Sequence, residues 1–260
     1  MQFSIVPGAV VPAFLIDDRI EEKTDHFLRK AAFLPEQGGI GQVPLPIVHQ
    51  GMLPICTGVA AANARSILYY QQTGKIVPFS GLFIYKMNRL FDGLPRDTKG
   101  STLEASMQTL AYKGVCPERM YPSNQINCNQ AFPVNGQKLL RRALPYRVQR
   151  YERCHCLQEV LAALSEQHPV VFSMIIYTDF YEAKRGVVPS KRQGNRIGGH
   201  SMVAVNYDLN RELVQVVQSW GKASHGPTDQ GYMYIPFSWF DLTDDLTGHK
   251  LLIEAFALQE

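Results

Sequence analysis

The chain has 260 residues, 45% hydrophobic and 19% charged, an ordinary globular mix with room for one large domain or two packed lobes. Its formal charge of +3 is small, and its basic residues are scattered apart from Lys184-Arg185 and Lys191-Arg192, which excludes the footprint of a nucleic-acid binder. No run approaches the ~20 apolar residues of a membrane span.

In chain order, residues 1–42 read as an N-terminal extension, irregular apart from a short helix expected around 18–32. It opens without a basic segment, and Pro7 and Pro12 interrupt its apolar run, so no cleavable secretion signal is expected. From Thr57 the sequence TGVAAANARSILYYQQ is Ala-rich and apolar on more than one face. It predicts a buried helix stopped at Thr73-Gly74. Further helices are expected over 80–91, over 102–113 before Gly114, and over 157–167 before Pro169. β-rich runs follow at 170–176, 201–207, 213–220, 232–235 and 251–258. Helices first and strands afterwards predict an α+β protein over 43–260, with a helical lobe at about 43–135, a sheet lobe at about 136–260, and a cleft between them.

Five cysteines (56, 116, 128, 154 and 156) are an odd number. Without a secretion signal this favours a reducing compartment and a thiol with chemistry of its own. Cys56 stands at the start of the Ala-rich helix, where the partial positive charge of the helix end favours an anion. A cysteine so placed has its pKa lowered, most of all beside an imidazolium, and the thiolate is the nucleophile. Alone, Cys56 is better read as a small buried apolar residue capping a packed helix. Gln50, six residues earlier, changes that. The loop Gln50-Gly51-Met52-Leu53-Pro54-Ile55 can fold back so that the Gln50 amide and the Cys56 backbone N–H point at one spot, as an oxyanion requires.

His200 follows Gly198-Gly199 and opens the strand beginning at Ser201, so a rigid element holds its imidazole for proton transfer near neutral pH. For the other six histidines a bland structural role is preferred. Gln218, in Val217-Gln218-Ser219-Trp220-Gly221, is placed to accept the second imidazole N–H, and Trp220 to cover that bond against water. Cys154-His155-Cys156 offers too few ligands for a closed metal site. Neither metal nor cofactor is expected.

Together these residues resemble the papain family of cysteine peptidases, most closely its compact bacterial members. The likeness rests on Gln50-Gly51-x4-Cys56, Gly199-His200 and Ser219-Trp220-Gly221 with Gly231-Tyr232. Ser80-Gly-Leu-Phe-Ile-Tyr, Gly100-Ser-Thr-Leu-Glu-Ala and Lys113-Gly-Val-Cys-Pro-Glu extend it. The resemblance implies a helical left lobe and a β-barrel-like right lobe. It implies Cys56 as thiolate, His200 as its ion-pair partner and acid/base, Gln218 as the orienting residue and Gln50 in the oxyanion hole. Gly100, Gly199 and Trp220 would line the substrate, a peptide or protein, with neither nucleic acid nor membrane as partner. The expected protein is a monomer, cytoplasmic or exported without a cleavable signal. Two other outcomes are a non-catalytic relative that binds peptides in the cleft, and an acyl or amide transferase with the same Cys-His chemistry.

Four departures stand out. The family's Cys-Gly-Ser-Cys-Trp is Leu53-Pro54-Ile55-Cys56-Thr57, so the disulfide beside the nucleophile cannot form. The family's orienting Asn is Gln218, one methylene longer. The first glycine of the substrate-pairing segment is Lys99. The upstream segment is short for a full inhibitory propeptide.

Overall fold

The computed structural model describes residues 33–90, 92–95, 97–123, 136–222 and 228–260. The helix expected over 18–32, Cys128 and His225 lie outside them. Helix α1 (Cys56–Thr73) is the spine of the helical lobe. Four alanines within it cost little side-chain entropy, and every residue from Cys56 to Leu68 is buried. The helix stops at Gly74, which takes the left-handed conformation that ends helices (φ +66°) and donates its N–H to Tyr70 O. Helix α2 (Gly81–Asn88) is capped by the Ser80 side chain and α3 (Leu103–Tyr112) by that of Thr102. At the α1–α2 crossing two glycines face each other's backbone. A Cβ on Gly58 would lie 2.2 Å from Gly81 O, so only glycine allows this approach.

A further helix, α4 (Gly136–Ala143), leads to strand β2 (Arg150–Arg153), and α5 (Leu157–Ser165) follows. The sheet is completed by β3 (Val170–Tyr177), β4 (Arg196–Asp208), β5 (Leu213–Val217), β6 (Tyr232–Pro236) and β7 (Leu252–Gln259), with a short α6 (Ser238–Asp241) before β7. The strands run antiparallel in the order β2-β7-β3-β4-β5-β6. A short β1 (Gln37–Gly39) pairs with β4, so the sheet begins inside the stretch read as the extension. The mixed α+β class is as expected. The barrel is not: among the described residues β2 and β6 remain edges, and the sheet stays open.

Alternation along the strands builds two cores. Val171, Val203, Val205, Val217, Phe256 and Leu258 face the helical lobe and join its residues Ile55, Val59 and Leu103. Phe172, Met202, Ala204, Val216 and Ala255 face the other way, against Leu161 and Leu164 of α5 and Trp239 and Phe240 of α6. A fully buried side chain of this size contributes ~1.5–3 kcal/mol. The sheet is therefore shared between lobes, and α1 packs directly on β4, the strand that carries His200. Among the described residues no helix is long and apolar enough to cross a membrane.

Candidate active site

Cys56 is the first residue of α1 and is fully buried. Its preceding residue, Ile55, offers no side-chain cap, and the first turn holds no acidic residue. A helix N-terminus with neither a capping side chain nor an acidic first turn is a setting that favours an anion. Cys116 and Cys154 are buried like Cys56 but begin no α-helix. Burial pushes the Cys116 thiol up to about 12 and raises that of Cys154 as well. None of Cys56, Cys116, Cys154 and Cys156 is in a disulfide.

Gln50 is buried and tied to the segment after β5 through both its backbone and its side chain. Its N–H donates to Ser219 O at 2.8 Å, and its Oε1 accepts from Ser219 Oγ. His49 and Trp220 form the adjoining β-bridge. The Gln50 Nε2 donates to Leu53 O at 2.7 Å, closing the loop that leads to Cys56. An amide has two N–H donors. One is spent on Leu53, leaving the second for a ligand.

His200 lies on β4 opposite Met174, two residues after Gly198, whose φ of +147° lies outside the usual range of L-residues. The ring is fully buried, and neither nitrogen has a hydrogen-bond partner among the described residues. Burial alone pushes its pKa from 6.5 down to about 3. What holds the ring is Trp220, stacked on it with centroids 4.9 Å apart and planes at 29°.

Gln218 follows β5 directly and turns back on its own chain. Its Oε1 accepts the Trp220 N–H at 2.5 Å, while its Nε2 is buried without a partner among the described residues. The carbonyl that the sequence assigned to the imidazole of His200 is therefore engaged by the Trp220 backbone N–H, two residues on in its own chain segment. Gly199 pairs with Ile175 on β3. Gly100, at φ +98°, accepts from Arg89 at 3.4 Å through its carbonyl, and the next residue, Ser101, donates to Asp92 at 3.0 Å. Just beyond, the Glu254 carboxylate of β7 accepts the Leu103 N–H at 2.9 Å at the start of α3.

Gln50, Ser219, Trp220, Gln218 and His200 thus form one connected group. Gly100 belongs to a separate rim fixed by Arg89, Asp92 and, across the lobes, Glu254. Sequence reasoning gave no role to Ser219, although it lay inside a motif already singled out. It missed Glu254 and Tyr181, whose ring lies 5.5 Å from that of Trp220, because only the fold brings them near. A cavity of about 840 Å³ lies elsewhere on the sheet lobe, lined by Glu182, Lys184, Lys191, Glu212 and Phe237 among others, and includes none of the candidate residues. Among the described residues no cluster could hold a metal, Cys154-His155-Cys156 included.

An uncharacterized peptidase C1-like protein of Acanthamoeba polyphaga mimivirus is 25% identical over 222 residues, covering 80% of this chain and 69% of its own. Xylellain, a cysteine protease from Xylella fastidiosa, superposes with a TM-score of 0.74 at 20% identity, over 89% of this chain and 88% of its own. The procathepsin B S9 of Trypanosoma congolense gives 0.65 at 18% identity, over 98% and 87%. The profile described as papain family cysteine protease matches residues 44–238, well over half of the chain. This chain belongs to the papain family of cysteine proteases.

Proposed function

We propose that the protein is an active cysteine peptidase in which Cys56 and His200 share a proton and Gln50 binds the oxyanion. The observation that carries this reading is the network joining Gln50 to Ser219 and Trp220, and Trp220 to His200. It couples a candidate oxyanion donor to a candidate base through one short segment. His200 also has both ring nitrogens uncommitted, leaving them for the reacting groups.

In this mechanism the Cys56 proton passes to His200, and the thiolate attacks the scissile carbonyl carbon. The oxyanion takes the free Gln50 N–H and the Cys56 backbone N–H. The imidazolium then protonates the leaving amine, and a thioester remains on Cys56. Water, deprotonated by His200, hydrolyses that thioester and returns the enzyme. Hydrogen bonds of such sites commonly tighten only when substrate is bound. A binding-only reading is favoured by one observation, the engagement of Gln218 Oε1 by Trp220 rather than by the imidazole.

The experiment is alkylation at mildly acidic pH with mapping of the labelled thiol, alongside cleavage of a diverse fluorogenic peptide library. Cys56 is expected to react ahead of the other four cysteines, and Cys56→Ala to abolish cleavage. Labelling of Cys116 or Cys154 first would remove Cys56 as nucleophile. A wild type that cleaves no peptide would favour binding alone.

A further inference from the structure

Among the described residues Trp220 is the ring stacked on His200, and its own indole is held by packing rather than by a hydrogen bond. Its backbone is secured by Gln218 and by the bridge to His49. Its indole N–H is buried with no hydrogen-bond partner among the described residues. Apart from packing, the indole meets two rings among the described residues, His200 at 4.9 Å and 29° and Tyr181 at 5.5 Å and 37°.

Tyr181 is carried by a 3₁₀ turn, Thr178–Glu182, that is pinned on several sides. Thr178 N–H donates to Asn195 O at 2.9 Å, and the buried Asp179 carboxylate accepts from the Gln193 and Gly194 N–H groups, each at 2.8 Å. The next residue, Phe180, is fully buried edge-on to Trp239 at 5.1 Å. A half-buried ring on so fixed a turn can act as a backstop.

We propose that Tyr181 is a positioning residue for the catalytic imidazole, acting through Trp220. The stack His200–Trp220–Tyr181 does the orienting that a hydrogen bond to the second ring nitrogen would otherwise do. The inference rests on the peptidase reading for its kinetic consequence but not for its geometry. Tyr181 acts through its ring, so Tyr181→Phe should preserve function and Tyr181→Ala should not.

The test compares wild type, Tyr181→Phe, Tyr181→Ala and, should the alanine variant fold poorly, Tyr181→Leu, which keeps bulk without a ring. Two quantities are read: kcat and KM on one peptide, and the His200 Cε1 proton resonance, which a stacked indole shifts by its ring current. The expected result is a fall in kcat of about tenfold in Tyr181→Ala or Tyr181→Leu, with KM within about twofold, as for an interaction made in the transition state. The His200 resonance moves in the same variants, and Tyr181→Phe matches wild type in both. A loss confined to KM would make Tyr181 a substrate contact. An unmoved His200 resonance in the ring-less variants, or a phenylalanine variant as impaired as they are, would equally overturn the proposal. Where wild type cleaves no peptide, the peptidase reading falls and the resonance alone decides for or against the stack.

Discussion

Removing the Cys56 sulfur tests the charge logic of the whole site. His200 is fully buried, and burial pushes its pKa from 6.5 to about 3. That shift of 3.5 units corresponds to about 5 kcal/mol against the imidazolium, at 1.36 kcal/mol per unit. An ion pair at neutral pH therefore needs an anion that returns at least as much. Two unit charges ~4 Å apart attract by ~4 kcal/mol at an effective dielectric of ~20, and the end of α1 adds ~0.3–1 kcal/mol in favour of the thiolate. Ionising a thiol of pKa ~8.5 at pH 7 costs a further ~2 kcal/mol, so neither charge is expected without the other and the pair needs a closer contact than ~4 Å. In Cys56→Ala, His200 should stay neutral from neutral pH down to about 3, the value burial gives it. The sign follows from a depressed folded-state pKa. Its contribution to stability is fully present above ~6.5 and is lost as pH falls through the folded value. The assay is a histidine NMR titration of the variant and the wild type, with thiolate absorbance followed in parallel. An alanine variant whose His200 titrates near 6.5 would refute the burial term. A wild type with neutral imidazole and protonated thiol at pH 7 would refute the pair.

Two further predictions follow from neighbouring contacts. Gln218→Ala leaves the buried Trp220 N–H without its acceptor, which should cost about 1–3 kcal/mol in unfolding free energy. Through Trp220 it should also lower kcat by about ten- to a hundred-fold, or ~1.4–2.7 kcal/mol; wild-type turnover in that variant would end any orienting role. Glu254, 3% exposed, has its carboxyl raised chiefly by burial, against the Leu103 and Glu104 N–H groups and Arg153, with Glu104 adding to the rise. A raised carboxyl contributes stability that is fully present below ~4.3 and is lost as pH rises through its folded value. Wild type should therefore lose ground to Glu254→Gln between pH 4 and pH 7 in urea unfolding, and a gain over that range would contradict the assignment.

The legible parts of the fold were those with strong periodicity. The Ala-rich run gave α1 with its glycine stop, and the β-rich runs gave β3 to β7, because tertiary packing uses the same alternation that the sequence displays. The helix expected over 80–91 ends at Asn88, since Arg89 leaves the helix to hold Asp92 and the Pro95 carbonyl. Strands β1 and β2 escaped notice for a different reason. Gln37–Gly39 is short and glycine-rich, and Arg150–Arg153 is a charged edge strand without an apolar face of its own. The α4 helix is short and highly basic, so its few apolar residues give little pattern. At the site, residue types and order pointed to Cys56, His200 and Gln50. The actual partner of Gln218 was beyond reach, because an amide one methylene longer can satisfy its own backbone two residues on. Tyr181 and Glu254 carry no local signal, since their relevance exists only once distant strands are adjacent.

The double tie between Gln50 and Ser219 spans 169 positions of chain. Closing a loop of that size costs ~4–5 kcal/mol of entropy before its contacts contribute, so such a contact belongs to the assembled chain rather than to either part. On the peptidase reading, the candidate oxyanion donor and the ring beside His200 come together only when that loop closes. A nascent or half-folded chain holds Cys56 and Gln50 on one side of that closure and His200 on the other. If Cys56 is the nucleophile, completion of the fold is the safety catch on its thiol.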